Sequence, residues 1–137
     1  MNCGASCTQH ITGLLLAGDD LLLLLSNWYG LLFPADLHAP PRTVRIWRTS
    51  APQDAVDVAA GSHGYLAAWR EESEGSMVIR ASRIDANGNY LDGLVLTTLA
   101  AIPSAPAVAG DGENWLVAWS DRGTIRGVRI SSNGTVR

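Results

Sequence analysis

The sequence predicts an all-β fold assembled from repeated antiparallel units, each of four strands joined by tight turns. Three observations carry this reading. First, VAAGSHGYLAAW at 58–69 and VAGDGENWLVAW at 108–119 align without a gap, matching Val58, Ala59, Leu66, Ala68 and Trp69 to Val108, Ala109, Leu116, Ala118 and Trp119. Tyr65 stands opposite Trp115, an aromatic exchange. Second, the likeness continues past the tryptophans into IRASRIDANG (79–88) and IRGVRISSNG (125–134). The difference in length falls in REESEGSMV against SDRGT, both polar and Gly-containing, as expected of a surface turn that varies without disturbing a core. Third, the apolar runs are short and bounded by turn formers, and WLVAW (115–119) is aromatic and β-branched. Self-similarity at about 50 residues is the mark of stacked supersecondary units.

The later copy shows what one unit contains. PAVA (106–109) opens with Pro106, which a strand tolerates at its start but not within a ladder. GDGEN (110–114) reverses the chain. WLVAW (115–119) is too short for a globular helix and suits a buried strand. After SDRG, TIRGVRI (124–130) reads as a third strand, and SSNG closes a hairpin on Asn133-Gly134, residues that tolerate positive φ. The earlier copy places DANGN (85–89) there and continues into YLDGLVLTT (90–98) as a fourth strand. Positions 65, 67 and 69 share one face of their strand, 66 and 68 the other. Both faces are apolar, so this strand is expected to be buried on both sides.

The first third holds a weaker copy. LLLAGDDLLLLLS (14–26) has the same order of apolar run, turn and apolar run. TVRIWRT (43–49) echoes the Arg-x-x-Arg pattern of the third strands, but that register leaves no room for a fourth strand before Val58. The preferred register takes NWYGLLF (27–33) as the third strand and TVRIWRT as the fourth. The division is then a tail or closing strand over 1–10, a degenerate unit over 11–54, a unit over 55–104 and a unit over 105–137 cut short in its fourth strand.

The pattern A-V-A-x-x-G-x-x-[Tyr/Trp]-L-V-x-W, followed by I-x-G-x-R-[Val/Ile] and an Asn-Gly turn, resembles β-propeller repeats of large bacterial secreted and surface proteins. It fits the last two copies well and the first fifty residues poorly. The resemblance implies a β-propeller-like arrangement of about three blades in an incomplete ring, with a β-sandwich as the alternative. It implies a secreted or cell-surface setting, although MNCGASCTQH has no basic residue ahead of the apolar region and does not read as a signal peptide. It carries no single activity.

Composition narrows the function. Nearly half the residues are apolar, 47%, against 17% charged, enough for a packed core. A net charge of −3 argues against a general nucleic-acid binder, which needs basic clusters to neutralise phosphates. The leucine-rich 11–33 is long enough to span a bilayer as a helix, but Asp19 and Asp20 near its middle would each cost about 3 kcal/mol there. No membrane insertion is expected.

Candidate sites are few. Tyr65, Trp69, Trp115 and Trp119 are a possible sugar-stacking set, although their repeated strand positions favour packing between blades. Asp85, Asn87 and Asn89 offer oxygens at alternate positions, as calcium loops do, but one carboxylate is little charge and a hairpin turn explains them equally. Asp111 and Glu113 carry the same discount. Cys3, Cys7 and His10 fall short of the four ligands of a zinc site. The paired Arg80/Arg83 and Arg126/Arg129 point to opposite faces within each pair, and one of each is expected to rim a blade in solvent. No Gly-x-Ser-x-Gly elbow, His-Glu-x-x-His pair or sialidase-type Ser-x-Asp-x-Gly-x-x-Trp turn occurs. The expectation is a non-catalytic binding or scaffold module for protein or glycan, without cofactor, with self-association to complete a ring. The alternatives are a structural fragment of a larger repeat protein and, third, a glycosidase-type enzyme.

Overall fold

A computed structural model describes residues 11–17, 20–25, 29–36, 38–46 and 53–137. Among these residues the fold is all-β, without helix, so no helix is long and apolar enough to cross a membrane. The proposed tail or closing strand over 1–10, with Cys3, Cys7 and His10, lies outside the described residues.

The strands form three antiparallel meanders in chain order. The first sheet contains β1 (Ile11–Ala17), β2 (Asp20–Leu25), β3 (Tyr29–Phe33) and β4 (Arg42–Arg45). The second contains β5 (Gln53–Gly61), β6 (Gly64–Ser73), β7 (Ser76–Asp85) and β8 (Tyr90–Leu99), and the third β9 (Ala107–Gly110), β10 (Asn114–Asp121) and β11 (Thr124–Ser131). The segment containing Thr43 and Val44 is thus the fourth strand of its sheet, paired to β3. An isolated bridge between Ile130 and Val136 begins to line a further segment along β11.

The length difference between the two matched copies has a more specific origin than a variable turn. β6 and β7 pair over 10 residues each, whereas β10 and β11 pair over 8. Both hairpins close through the same two-residue connection, Glu74-Gly75 (φ 51° and 78°) and Arg122-Gly123 (φ 49° and 80°). Positive φ at both central residues is the turn whose twist matches the flanking strands. The turn is therefore retained, and the arms lengthen in register.

The sheets stack in chain order around two apolar layers. Leu32, Val44 and Ile46 of the first sheet and its exit meet Val58, Tyr65, Ala67, Trp69 and Ile84 of the second. On the other side, Ala59, Leu66, Ala68, Ile79 and Ala81 meet Trp115, Val117, Trp119 and Ile130. Residues 64–69 of β6 are accordingly buried on both faces. The first strands stand side by side, β1 against β5 and β5 against β9. Asp57 on β5 ties two of them, accepting hydrogen bonds from the Val58 amide at 2.9 Å and the Val108 amide at 2.8 Å. The described sheets do not close into a ring.

Candidate functional site

The four aromatic candidates all lie inside the packing layers. Tyr65, Trp69, Trp115 and Trp119 are 2%, 1%, 3% and 5% exposed. None offers a ring face to a sugar in solution. Trp69 and Trp119 occupy the second strands of their sheets, and both point toward the preceding sheet. Their polar surroundings differ. The Trp69 indole Nε1 donates to Glu71 Oε2 at 3.1 Å, and Glu71, itself buried, also accepts from Arg80 Nε. In the third sheet Asp121 takes the place of Glu71 and pairs with Arg126 at 3.0 Å, but Trp119 Nε1 has no partner. The aspartate is one methylene shorter, which accounts for the lost contact.

The arginines depart from the expectation of a solvated rim. Arg80 and Arg83 are both paired, with side chains 29% and 14% exposed. Arg83 forks onto Asp92 of β8 and also donates Nη1 to the Ser132 carbonyl in the turn that follows β11. The Asp92 hydrogen bond raises the Arg83 pKa, outweighing a lowering by burial. Five donors on a planar fork let one arginine serve a carboxylate and a neighbouring carbonyl together. Sequence spacing showed opposite faces but could not show that one of those faces receives the next sheet. Arg126 and Arg129 of the third sheet remain exposed.

The Asp85–Asn89 loop is organised by its own carboxylate. Asp85 Oδ1 accepts from the Asn87 and Asn89 amides, both at 2.9 Å, and Oδ2 from Asn89 Nδ2 at 3.0 Å. Among the described residues no group of three His, Cys, Asp or Glu could hold a metal. Burial by itself would raise the Asp85 pKa, but the side-chain and main-chain hydrogen bonds from Asn89 and Asn87, with the field of Arg42, lower it overall. A carboxyl depressed in the folded state stabilises the fold above the unfolded value of about 3.9, and that contribution is lost as pH falls through the folded value. Asp85→Asn should therefore flatten the acid limb of stability, read as urea midpoints between neutral pH and the carboxylate range. An unchanged limb would remove Asp85 from acid unfolding.

The surface that sequence reasoning did not single out is the face of β9–β11 turned away from the second sheet. Leu116 is 51% exposed and Ile125 76%. Register places Arg129 opposite Leu116 and Gly127 opposite Ala118 on this same face. At one end it dips into a depression of about 230 Å³ lined by Ala109, Gly110, Asp111, Asn114, Trp115, Leu116 and Arg129. Asp111 is held at its rim by the Asn114 amide at 2.7 Å and the Glu113 amide at 3.0 Å. Those bonds, the Asn114 one foremost, lower its pKa, with a smaller contribution from Arg129. The alignment could not have found it, since Leu116 is the counterpart of Leu66, which is fully buried. Compared with family models, curated proteins and solved structures, the chain matches none of them.

Proposed function

We propose that this chain is a non-catalytic binding or scaffold module of β-propeller type, working through the outer face of β9–β11. Chain-order stacking of meanders with their first strands adjacent supports the propeller reading, as does the burial of matched tryptophans between successive sheets. The observation that carries the binding role is the exposure of Leu116 and Ile125 on one strand-paired face. Ala118 and Gly127 lie between them in the register, so no charged side chain separates the two along this face.

A protein partner fits this face better than a glycan. The exposed large apolar side chains among the described residues are Leu91, Val95, Ile102, Leu116, Ile125 and Val136, all aliphatic. Aliphatic surface buries well against another protein, whereas sugar recognition draws on open aromatic faces. A glycan array probed with the pure protein should stay blank, and aryl glycosides should not be hydrolysed above background. Specific glycan spots would overturn the choice of protein partner, and turnover would overturn the non-catalytic reading. A blank array together with no surface loss of solvent exchange on adding any protein fraction would leave a structural spacer.

A further inference from the structure

The outer face of β9–β11 repeats the face with which the second sheet holds the third. Leu66, Ile79 and Ala81 of the second sheet are each 0% exposed beneath the tryptophans of β10. Their sequence counterparts on the third sheet are Leu116, Ile125 and Gly127. Arg83, which reaches across to the Ser132 carbonyl, has Arg129 as its counterpart. The third sheet therefore carries the side chains that seat a following sheet, including the arginine that grips its turn.

We propose that a second copy of this chain covers this face, by placing the outer side of its own β1–β4 sheet against it. The proposal rests on the propeller reading above and names the partner of the same face. Every contact between sheets in the chain joins one face of a sheet to the opposite face of the next. Among the described residues, two halves of such a contact have no counterpart, the outer face of the third sheet and the outer face of the first. Leu32 of β3 packs toward the second sheet, so its neighbours Leu31 and Phe33 lie on the outward side by strand alternation. Apolar therefore meets apolar. Two copies joined head to tail make the same contact twice and close on themselves, which limits the assembly to a dimer. Twice the three described sheets gives six, inside the usual range of about four to eight blades.

Light scattering coupled to gel filtration tests this on the full chain. The expected result is a dimer across the micromolar range, with a melting temperature that rises with concentration as partner binding stabilises the folded state. Leu116→Arg combined with Ile125→Asp should give a monomer with unchanged far-ultraviolet dichroism. If the double variant loses its fold, Ile125→Ser alone, at a largely exposed position, should weaken dimerisation at least about tenfold, roughly 1.4 kcal/mol. A folded wild-type monomer, a dimer indifferent to these substitutions, or an open-ended polymer would each overturn the proposal. A folded monomer with buried tryptophan fluorescence would leave the binding-module reading standing. Solvent-exposed tryptophan emission would instead sink the stacked-sheet reading beneath both.

Discussion

Trp69→Ala should cost about 3–5 kcal/mol of folding stability, the range for truncating a large buried aromatic. The ring is 1% exposed and packs with Leu32, Val44 and Ile46, so its removal opens a cavity between the first two sheets. It also takes the indole donor from Glu71, a buried carboxylate that accepts from Arg80 as well. Against a typical total of about 5–15 kcal/mol, such a loss leaves a substantial unfolded fraction. Urea unfolding followed by dichroism measures it, and a loss under about 1 kcal/mol would place the ring outside the core. Phenylalanine variants separate packing from hydrogen bonding. Trp69→Phe loses the bond to Glu71, whereas Trp119→Phe loses none because Trp119 Nε1 has no partner. The first should therefore cost about 1 kcal/mol more than the second.

Gly64→Ala should destabilise by about 3 kcal/mol or more, combining backbone strain with overpacking. Gly64 begins β6 at φ 131°, a conformation that side chains rarely adopt, and it is buried. A methyl group there would run into the Ile84 carbonyl oxygen and come within 2.8 Å of the Asp85 Cα. Both obstacles are backbone, so no rotamer change relieves them. The hairpin would have to move, and with it Tyr65 and the Asp85 turn. A thermal melt of the variant decides this, a wild-type midpoint being the result that refutes it. The matched position in the other copy is Asn114, which escapes the restriction because that turn is built differently. Its positive φ falls at Gly112, and Asp111 caps the Glu113 and Asn114 amides.

The same turn shows where sequence comparison loses resolution. An ungapped alignment placed VAAGSHGYL over VAGDGENWL, and both do reverse the chain between paired strands. Conformation nevertheless follows from local hydrogen bonds, which the two sequences satisfy with different residues.

Much of the fold was legible because short apolar runs bounded by turn formers leave few alternatives to antiparallel strands. The Asn-Gly pairs mark reversals, although positive φ falls only on Gly88 and Gly134 and not on the asparagines, and alternation assigned residues 65–69 correctly to two faces. The chain by itself thus determined the all-β class and its antiparallel strands. It could not determine which apolar face has a neighbour. Leu66 and Leu116 occupy the same place in the repeat, yet one is sealed beneath the third sheet and the other is half exposed. Arg83 and Arg129 differ for the same reason, one clamping a carbonyl in the turn that follows β11 and the other open to solvent. Burial depends on the surface that arrives from elsewhere in space, and strand period encodes only the direction in which a side chain points. Only the tertiary structure decided that the aromatic candidates are core and that Leu116 and Ile125 on the outer face of β9–β11 stay exposed.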